Sequence, residues 1–224
     1  MIKLSVAEEN YLKAVFLHID SEQENSLVNT NTLSQALNTT AGSVTDMLKK
    51  LSEKELIHYI PYKGVNLTEK GKKIAIFTIR KQRLWEYFLV KHLRFSWDKV
   101  HEIAEQLEHI DSEELIKKLD EYLGFPEYDP HGDPIPNAQG EFPQRKTMLL
   151  ADILPYHKVV IAGVLSHNSD FLQFLDRLGL HVGTELEIIE KIPFDDCLLI
   201  HLEKNKELII SRSVTTNILV YSPE

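Results

Sequence analysis

The sequence predicts a mainly α-helical protein that ends in a small β-barrel. Apolar residues recur at helical spacing through most of the first 124 residues. A proline-rich segment then breaks this pattern. Short runs rich in β-branched residues, separated by turns, make up the rest of the chain. The proline-rich segment between the helical pattern and the β-rich pattern is the clearest domain boundary of the sequence.

The first 75 residues have the element order of a winged helix-turn-helix. Apolar spacing predicts a first helix over residues 5–19. Thr30 or Asn31 can cap a short second helix that ends at Leu37. After a turn, a third helix is marked by apolar residues one turn apart, which are Val44, Leu48 and Leu51. Alternating residues around Lys63-Gly64 then predict a β-hairpin.

Three further helices are expected before the break. Thr68 can cap a long helix that runs to about Leu93, broken only by Gly71 near its start. The next helix is predicted over Trp97 to Ile110. Ser112 and the two acids that follow it favour the start of a last helix, which ends at Gly124.

The remaining sequence divides into a linker and a β-rich domain. Residues 125–147 hold five prolines, and we interpret them as an irregular linker. Runs such as VVIAGVL, CLLIHL and NILVY predict the strands of a small β-barrel, with one short helix near Asp170 to Leu178. The predicted division is 1–75 for the winged helix-turn-helix, 76–124 for a helical domain, 125–147 for the linker and 148–224 for the β-barrel.

Composition narrows the classes of function. A single cysteine among 224 residues excludes an internal disulfide framework and is typical of the cytoplasm. The N-terminal segment is interrupted by polar residues, so we expect it to be neither a signal peptide nor a membrane span. No apolar run elsewhere approaches about 18 residues, so we expect no membrane partner. The net charge is −9, but residues 1–75 carry nine lysines against nine acids. Such a neutral first domain can still bind DNA through clustered lysines.

The segment HEIAEQLEH carries the most chemical information. On a helix, His101, Glu105, Glu108 and His109 would share one face, where an ordinary amphipathic helix carries apolar residues. Two metal sites can be assembled around it. One combines Glu105, Glu108 and His109 with Asn10 of the first helix; the other combines His101 with Glu86 and Gln82 of the long helix.

These ligands predict the kind of metal. Carboxylates and imidazoles without thiolates suit Mn²⁺ or Fe²⁺ better than a structural zinc ion. The alternative is a salt-bridge network between helices that binds no metal.

At this point the chain resembles the diphtheria toxin repressor family of metal-dependent transcriptional repressors, which includes the manganese transport regulators. The resemblance rests on EENYLKAVF, IRKQRLWEYFL, WDKVHEIAEQLEHI, DPHGDPIP and LDRLGLHVGTELEI, and it covers essentially the whole chain. It implies a DNA-binding domain, a helical dimerisation domain with two metal sites and, in longer members, an SH3-like, FeoA-like β-barrel. It also implies a homodimer that binds a palindromic operator, and no enzymatic activity.

Carried over by position, the family's primary metal site falls on Asn10, Glu105, Glu108 and His109. Its ancillary site falls on Gln82, Glu86 and His101, and in some members the barrel adds ligands that align with His167 and Asp170. Glu105 stands where iron-responsive members have cysteine, so the chain favours Mn²⁺ over Fe²⁺. Asn10 and Gln82 replace stronger ligands, which we expect to weaken the two sites.

The third helix would be the recognition helix. Its polar residues available to the DNA groove are Thr40, Ser43, Thr45, Asp46 and Lys49. Phosphate contacts are expected from Lys49, Lys50 and Lys63. Because residues 1–75 contain no arginine, recognition is expected to depend on DNA shape and on methyl and phosphate contacts.

A mechanism follows as a hypothesis. Without metal, we expect the carboxylates to repel one another and to leave the first helix mobile. Metal would then tie that helix, through Asn10, to the helix of Glu105 and fix the spacing of the two recognition helices. Two alternatives stay open: a winged-helix regulator of an organic ligand, with a structural His/Glu face, and a dinuclear metallohydrolase.

Overall fold

The structure, a computed structural model, describes residues 4–19, 26–202 and 206–223. Within these ranges, no helix is both long and apolar enough to cross a membrane. The chain divides into two compact units that are described separately below. The first comprises Met1–Gln82, Glu105–Lys117 and Pro136–Glu141, and the second comprises Arg83–Ala104, Lys118–Ile135 and Phe142–Glu224.

The predicted winged helix-turn-helix is confirmed in the first unit. Its elements are α1 (Val6–His18), α2 (Thr30–Ala36), α3 (Ala41–Glu53), β1 (Ile57–Ile60) and β2 (Gly64–Leu67). The two strands pair antiparallel to form the wing. Asn29, one residue before the predicted caps, accepts a hydrogen bond from the backbone of Thr32 and so begins α2.

The helices of this unit pack on one apolar core. Leu12 of α1, Leu33 of α2 and Val44, Leu48 and Leu51 of α3 are fully buried. The three α3 residues are the apolar residues whose spacing marked this helix in the sequence. Their burial leaves the opposite face of α3 at the surface of the unit.

A long helix, α4 (Glu69–Lys91), begins where the sequence predicted. Thr68 caps it by accepting a hydrogen bond from the backbone of Gly71. Gly71 does not break the helix. A Cβ atom at this position would lie 2.0 Å from the carbonyl oxygen of Leu56, so glycine allows α4 to pass close to the backbone after α3.

The next two helices are α5 (Val100–Leu107) and α6 (Glu113–Leu123). The prediction of one helix over Trp97 to Ile110 was too long at both ends. Residues 97–99 form a turn, and 108–109 form another after α5. The backbone N–H of Ile110 donates to the carbonyl oxygen of Leu107, a tight i to i−3 bond that closes the helix.

The C-terminal part folds as an antiparallel sheet. Its elements are β3 (Met148–Leu149), β4 (Lys158–Val164), α7 (Ser169–Leu178), β5 (Glu185–Lys191), β6 (Leu198–Leu202), β7 (Lys206–Ile210), α8 (Arg212–Thr215) and β8 (Ile218–Tyr221). The strands have the order β3-β8-β4-β5-β6-β7 in the sheet. The predicted β domain is confirmed; among the described residues its sheet is open, with β3 and β7 as edges.

Residues 125–147 lack helices and regular strands, as predicted, but they are held in place. Asp129 accepts hydrogen bonds from the backbone N–H groups of His131 and Asp133 through its Oδ1 atom. Arg83 donates to the carbonyl oxygen of Pro134. Gly132 has a φ of +91°, and a Cβ there would lie 2.2 Å from the carbonyl oxygen of Ala162. The loop at Gly132 therefore packs tightly against Ala162 and Gly163.

Candidate metal centre and DNA-binding surface

A lysine lies among the carboxylates of the first unit. Nζ of Lys13, on α1, lies 2.7 Å and 3.0 Å from the two carboxylate oxygens of Glu108. It also donates to Oε1 of Glu105 at 3.3 Å and to Oε1 of Gln82 at 3.2 Å. Lys13 is 7% exposed and Glu108 is fully buried. Burial raises the pKa of Glu108, although the charge and hydrogen bond of Lys13 act in the opposite direction.

His109 is oriented by a carboxylate of α1. Its Nδ1 atom donates to Oε2 of Glu9 at 2.6 Å, and its Nε2 atom lies 3.4 Å from Oε1 of Glu108. Nε2 is buried and has no hydrogen-bond partner within the described part of the chain. The same is true of Oδ1 of Asn10, which lies one turn before Lys13. We call Asn10, Lys13, Glu105, Glu108 and His109 the first cluster.

The first cluster contains the four residues that the sequence assigned to the primary site. Their local structure differs from the single helical face that the sequence predicted. Glu105 lies on α5, whereas Glu108 and His109 lie in the turn after it. Lys13 of α1 contacts both Glu105 and Glu108, and Glu9 of α1 contacts His109. Gln82, predicted for the ancillary site, instead accepts a hydrogen bond from Lys13 of this cluster through its amide oxygen.

The second unit contains another group of buried ligands. Glu86, Asp129 and His131 each have a ligand atom within 4.8 Å of the others, and all three residues are buried. Glu86 comes from α4, and the other two come from the proline-rich segment. We call these three residues the second cluster.

Hydrogen bonds fix the ring of His131. Its Nε2 atom donates to the carbonyl oxygen of Trp97 at 2.8 Å. Nδ1 faces the two carboxylates, 3.7 Å from Oε2 of Glu86 and 3.9 Å from Oδ2 of Asp129. Both Nδ1 of His131 and Oδ2 of Asp129 are buried without a hydrogen-bond partner among the described residues. Two carboxylates thus face one nitrogen of the ring, which carries a proton in the charged ring and a lone pair in the neutral ring.

The charges of the second cluster depend on one another. Burial opposes ionisation of Glu86, but its hydrogen bond with His101 and the nearby charge of His131 outweigh it and lower its pKa. Burial, together with the nearby charges of Asp133 and Glu86, raises the pKa of Asp129 although His131 opposes this. Burial would lower the pKa of His131, yet Asp129 and Glu86 raise it. The cluster is therefore stabilised by a positive charge at its centre.

The other residues predicted for the ancillary site surround the second cluster to different extents. His101 Nδ1 donates to Oε1 of Glu86 at 3.0 Å. The ring of His167 stacks on His131, with 4.6 Å between ring centroids. Asp170 lies in the first turn of α7, exposed, and the described residues provide no ion-pair partner for its carboxylate.

Sequence reasoning missed Asp129 and His131 as site residues. They lie in a segment without helical or strand periodicity, so spacing could not place them on a common face. The available signal was their type: two metal-binding side chains, separated by one proline, in a segment that carries the family resemblance.

The two clusters meet a chemical test for a divalent metal. Each combines carboxylates with an imidazole whose remaining nitrogen is held by a hydrogen bond, an arrangement typical of histidine ligands. Each also contains buried acceptor atoms without partners, which are costly unless a cation binds them. Cys197 lies on the segment before β6, outside both clusters, so their donors are oxygen and nitrogen.

The residues predicted to contact DNA lie on α3 and at the tip of the wing. Thr40 caps α3 and accepts from the backbone of Ser43, while Thr45 donates to the carbonyl oxygen of Ala41. The wing presents Tyr62 and Lys63 to solvent, with Tyr62 fully exposed. Hydroxyls that are engaged in capping have less capacity to bind bases.

The charged residues of α3 have partners within the first unit. Asp46 and Lys49 form an exposed pair at 3.5 Å. Lys50 and Lys54 both contact Oε1 of the buried Glu8, at 3.2 Å and 2.6 Å. These bonds and the cap at Ser5 lower the pKa of Glu8 to about 2 despite its burial. Lys50 is thus a link between α1 and α3 as well as a candidate for phosphate contact.

Comparison with known families matches three models along the chain. Residues 3–65 match the N-terminal DNA binding domain of the iron dependent repressor. Residues 68–137 match the iron dependent repressor metal binding and dimerisation domain, and residues 148–222 match the FeoA domain. The second match contains both clusters apart from the α1 residues.

Individual relatives agree with these matches. The diphtheria toxin repressor of Corynebacterium glutamicum is 26% identical over 193 residues, which cover 82% of this chain and 83% of that protein. An uncharacterised HTH-type transcriptional regulator of Methanocaldococcus jannaschii is 34% identical over 116 residues, covering 52% of this chain and 91% of that protein.

Solved structures with the same fold include metal complexes. A manganese-dependent transcriptional repressor in complex with manganese has a TM-score of 0.82 at 28% identity, covering 96% of this chain and all of that one. ScaR with bound Zn²⁺ has a TM-score of 0.71 at 31% identity, covering 96% and 99%.

Proposed function

Because the chain belongs to the iron-dependent repressor family, which includes the diphtheria toxin repressor, we propose that it represses metal-homeostasis genes with Mn²⁺ as co-repressor. The family consists of metal-dependent, DNA-binding transcriptional repressors that form dimers, and they are not enzymes. The particular metal, the metal ligands and the regulated genes are the parts that we propose here. A repressor acts where DNA is, so we assign it to the cytoplasm.

The observation that carries the proposal is the type of ligand in the two clusters. Both consist of oxygen and nitrogen donors, with buried acceptor atoms that lack partners. In the first cluster we assign Asn10, Glu105, Glu108 and His109 as metal ligands. Hard carboxylate ligands favour Mn²⁺ or Fe²⁺, and the absence of sulfur in this set favours Mn²⁺.

The second cluster is proposed as the second metal site. Glu86, Asp129 and His131 would be its central ligands. His101 and His167 lie close enough to complete the coordination shell after small side-chain movements, with His167 as the contribution of the β domain. When bound, the metal would supply the positive charge that these carboxylates require.

Metal binding can be coupled to DNA binding through α1. Lys13 of this helix contacts Glu105 and Glu108, and its Glu8 contacts Lys50 of α3 and Lys54, the residue that follows α3. A change in the position of α1 would therefore reach the recognition helix directly. Coupling of this kind commonly changes affinity by about 5–150-fold.

The expected assembly is a dimer on a palindromic operator. We assign residues 1–75 to the DNA-binding domain and 76–124 to the dimerisation and metal-binding domain. Residues 125–147 are assigned to the linker and 148–224 to the β domain. Leu115 and Tyr122 are exposed apolar residues of α6 that suit a dimer surface. Two recognition helices would lie about 34 Å apart, one turn of DNA. Phosphate contacts are assigned to Lys49, Lys50 and Lys63, and groove contacts to Thr40, Ser43, Thr45 and Asp46.

Fluorescence anisotropy tests the proposal on DNA upstream of the chain's own gene and of neighbouring metal-transporter genes. Binding is measured in chelator and then with Mn²⁺, Fe²⁺ and Zn²⁺. We expect binding to require metal, with Mn²⁺ effective at the lowest concentration. Glu105→Ala and His109→Ala should fold but lose the metal response, whereas Glu207→Ala on β7 should keep it.

Equal binding in chelator and in metal would contradict the proposal. A regulator of an organic ligand would then be the better interpretation. If Fe²⁺ acts at lower concentration than Mn²⁺, the repressor function stands and the assignment of the metal is wrong.

A further inference from the structure

Lys13 occupies the position in the first cluster that a metal ion would need. Its ammonium group is within hydrogen-bond distance of both oxygens of Glu108, one oxygen of Glu105 and the amide oxygen of Gln82. Only 8% of the Lys13 side chain is exposed, and Glu108 has no exposure at all. The ammonium is therefore bound inside the unit and is not a surface charge that happens to lie nearby.

The lone pairs that Lys13 uses are those of the proposed ligands. A carboxylate oxygen that accepts a short bond from an ammonium has little capacity left for a metal on the same side. An ammonium and a divalent cation also repel each other strongly in a buried site. Metal binding at Glu105 and Glu108 is therefore an exchange in which Nζ of Lys13 must leave both carboxylates.

We propose that Lys13 is a tethered cation that competes with the metal ion for Glu105 and Glu108 and so sets the metal concentration to which the protein responds. This inference rests on the proposed assignment of the first cluster as a metal site. It changes the mechanism expected from the sequence. The carboxylates do not simply repel one another before metal binds, since α1 already provides them with a positive charge.

The second cluster offers a contrast within the same chain. Glu86 is contacted there by His101 and His131, and Asp129 by His131. The imidazole of a histidine can itself be a metal ligand, whereas the ammonium group of a lysine must be displaced. We expect the second cluster to fill at lower metal concentration than the first.

A purely structural Lys13 predicts a different result. If the lysine only joins α1 to the turn after α5, its removal destabilises the unit and leaves metal affinity unchanged or lower. A competing lysine predicts the opposite sign: its removal increases metal affinity. Affinity for the metal therefore separates the two roles, whereas stability alone does not.

The experiment is a Mn²⁺ titration of the full chain without DNA, followed by the room-temperature EPR signal of free Mn²⁺. Lys13→Met should tighten binding at the first cluster by at least about tenfold. Lys13→Arg, which keeps the charge, should not tighten it. Lys191→Met is the control, because it removes a lysine that pairs with Asp196 outside both clusters and should leave Mn²⁺ affinity unchanged. Glu105→Ala identifies which bound ion belongs to the first cluster.

Unchanged or weaker Mn²⁺ binding in Lys13→Met would overturn the inference. If that variant does not fold, Lys13→Gln provides the same comparison, since its amide can still donate to Glu108 without a charge. If Glu105→Ala binds as many ions as the natural chain, the first cluster is not a metal site and the proposed function itself fails. If Glu105→Ala loses one ion but Lys13 variants do not tighten binding, only the role of Lys13 is wrong.

Discussion

His131 donates a hydrogen bond from Nε2 to the carbonyl oxygen of Trp97 at 2.8 Å, and both residues are buried. This bond determines which nitrogen of the ring faces Glu86 and Asp129. Histidine ligands of metals are commonly held by such a bond to a backbone carbonyl, which fixes the ring and its tautomer. The backbone carbonyl of Trp97, just before α5, thus orients the imidazole of His131 in the proline-rich segment.

We expect His131→Gln to lose the metal ion of the second cluster. The amide cannot replace Nδ1 in both position and basicity, so the number of bound Mn²⁺ ions should fall by one in equilibrium dialysis. Asp170→Asn is the control, because its carboxylate lies exposed at the start of α7. Loss of an ion in Asp170→Asn but not in His131→Gln would support the assignment made from the sequence instead.

Hydrophobic periodicity predicted the elements that bury one face along several turns or residues. The core of the winged helix was predicted because Val44, Leu48 and Leu51 recur at the spacing of one helical face. The strands of the β domain were predicted for the same kind of reason. β3 and α8 were not, since two and four residues are too short to show a period.

The candidate sites show the limits of the same reasoning. The identities of Glu108 and His109 were predicted, but their place after the end of α5 depends on a turn that has no distinct sequence signal. Asp129 and His131 lie in an irregular segment, where only the fold determines which side chains face Glu86. Lys13 was overlooked because a lysine on a helix is usually exposed.

Gly132→Ala should destabilise the second unit much more than Gly124→Ala does. Both glycines have positive φ, so the backbone strain of an added Cβ is similar. A Cβ at 132 would also lie 2.2 Å from the carbonyl oxygen of Ala162, whereas nothing lies within 4 Å of one at 124. We expect a loss of about 2–4 kcal/mol at 132 and about 1 kcal/mol at 124 in urea unfolding.

The clash also has a consequence for the metal. Relief of the contact at 132 requires movement of the loop that carries His131, so Mn²⁺ binding at the second cluster should weaken in Gly132→Ala. It should remain unchanged in Gly124→Ala. Equal stability of the two variants would contradict the close packing of this loop on β4.

Lys63→Ala should weaken DNA binding about equally for operator and unrelated sequences. Lys63 lies exposed at the tip of the wing, where a phosphate contact is expected. Loss of one such contact should reduce the slope of log affinity against log salt by about 1. Lys158→Ala, at the start of β4, removes the same charge and should leave the slope unchanged. A lower affinity for the operator alone would indicate a base contact instead.

Glu8→Gln should lower the free energy of unfolding at neutral pH by about 1–3 kcal/mol. Glu8 is buried, and its carboxylate contacts Lys50 of α3, Lys54, which follows α3, and the backbone N–H of Ser5. These contacts lower its pKa in the folded chain from 4.5 to about 2. The amide keeps the volume of the side chain but cannot carry the charge.

The pH dependence of this effect has a definite direction. A group with a depressed pKa in the folded state stabilises the fold above its unfolded pKa and loses this contribution as the pH falls through the folded value. The difference in stability between the natural chain and Glu8→Gln should therefore be constant above about pH 5 and decrease between pH 4.5 and about 2. Urea unfolding of both proteins across this range measures the difference.

Because Lys50 lies on the recognition helix, Glu8→Gln should also reduce the effect of metal on DNA binding. A normal metal response together with the predicted pH dependence would show that Glu8 stabilises α3 without transmitting the signal from α1.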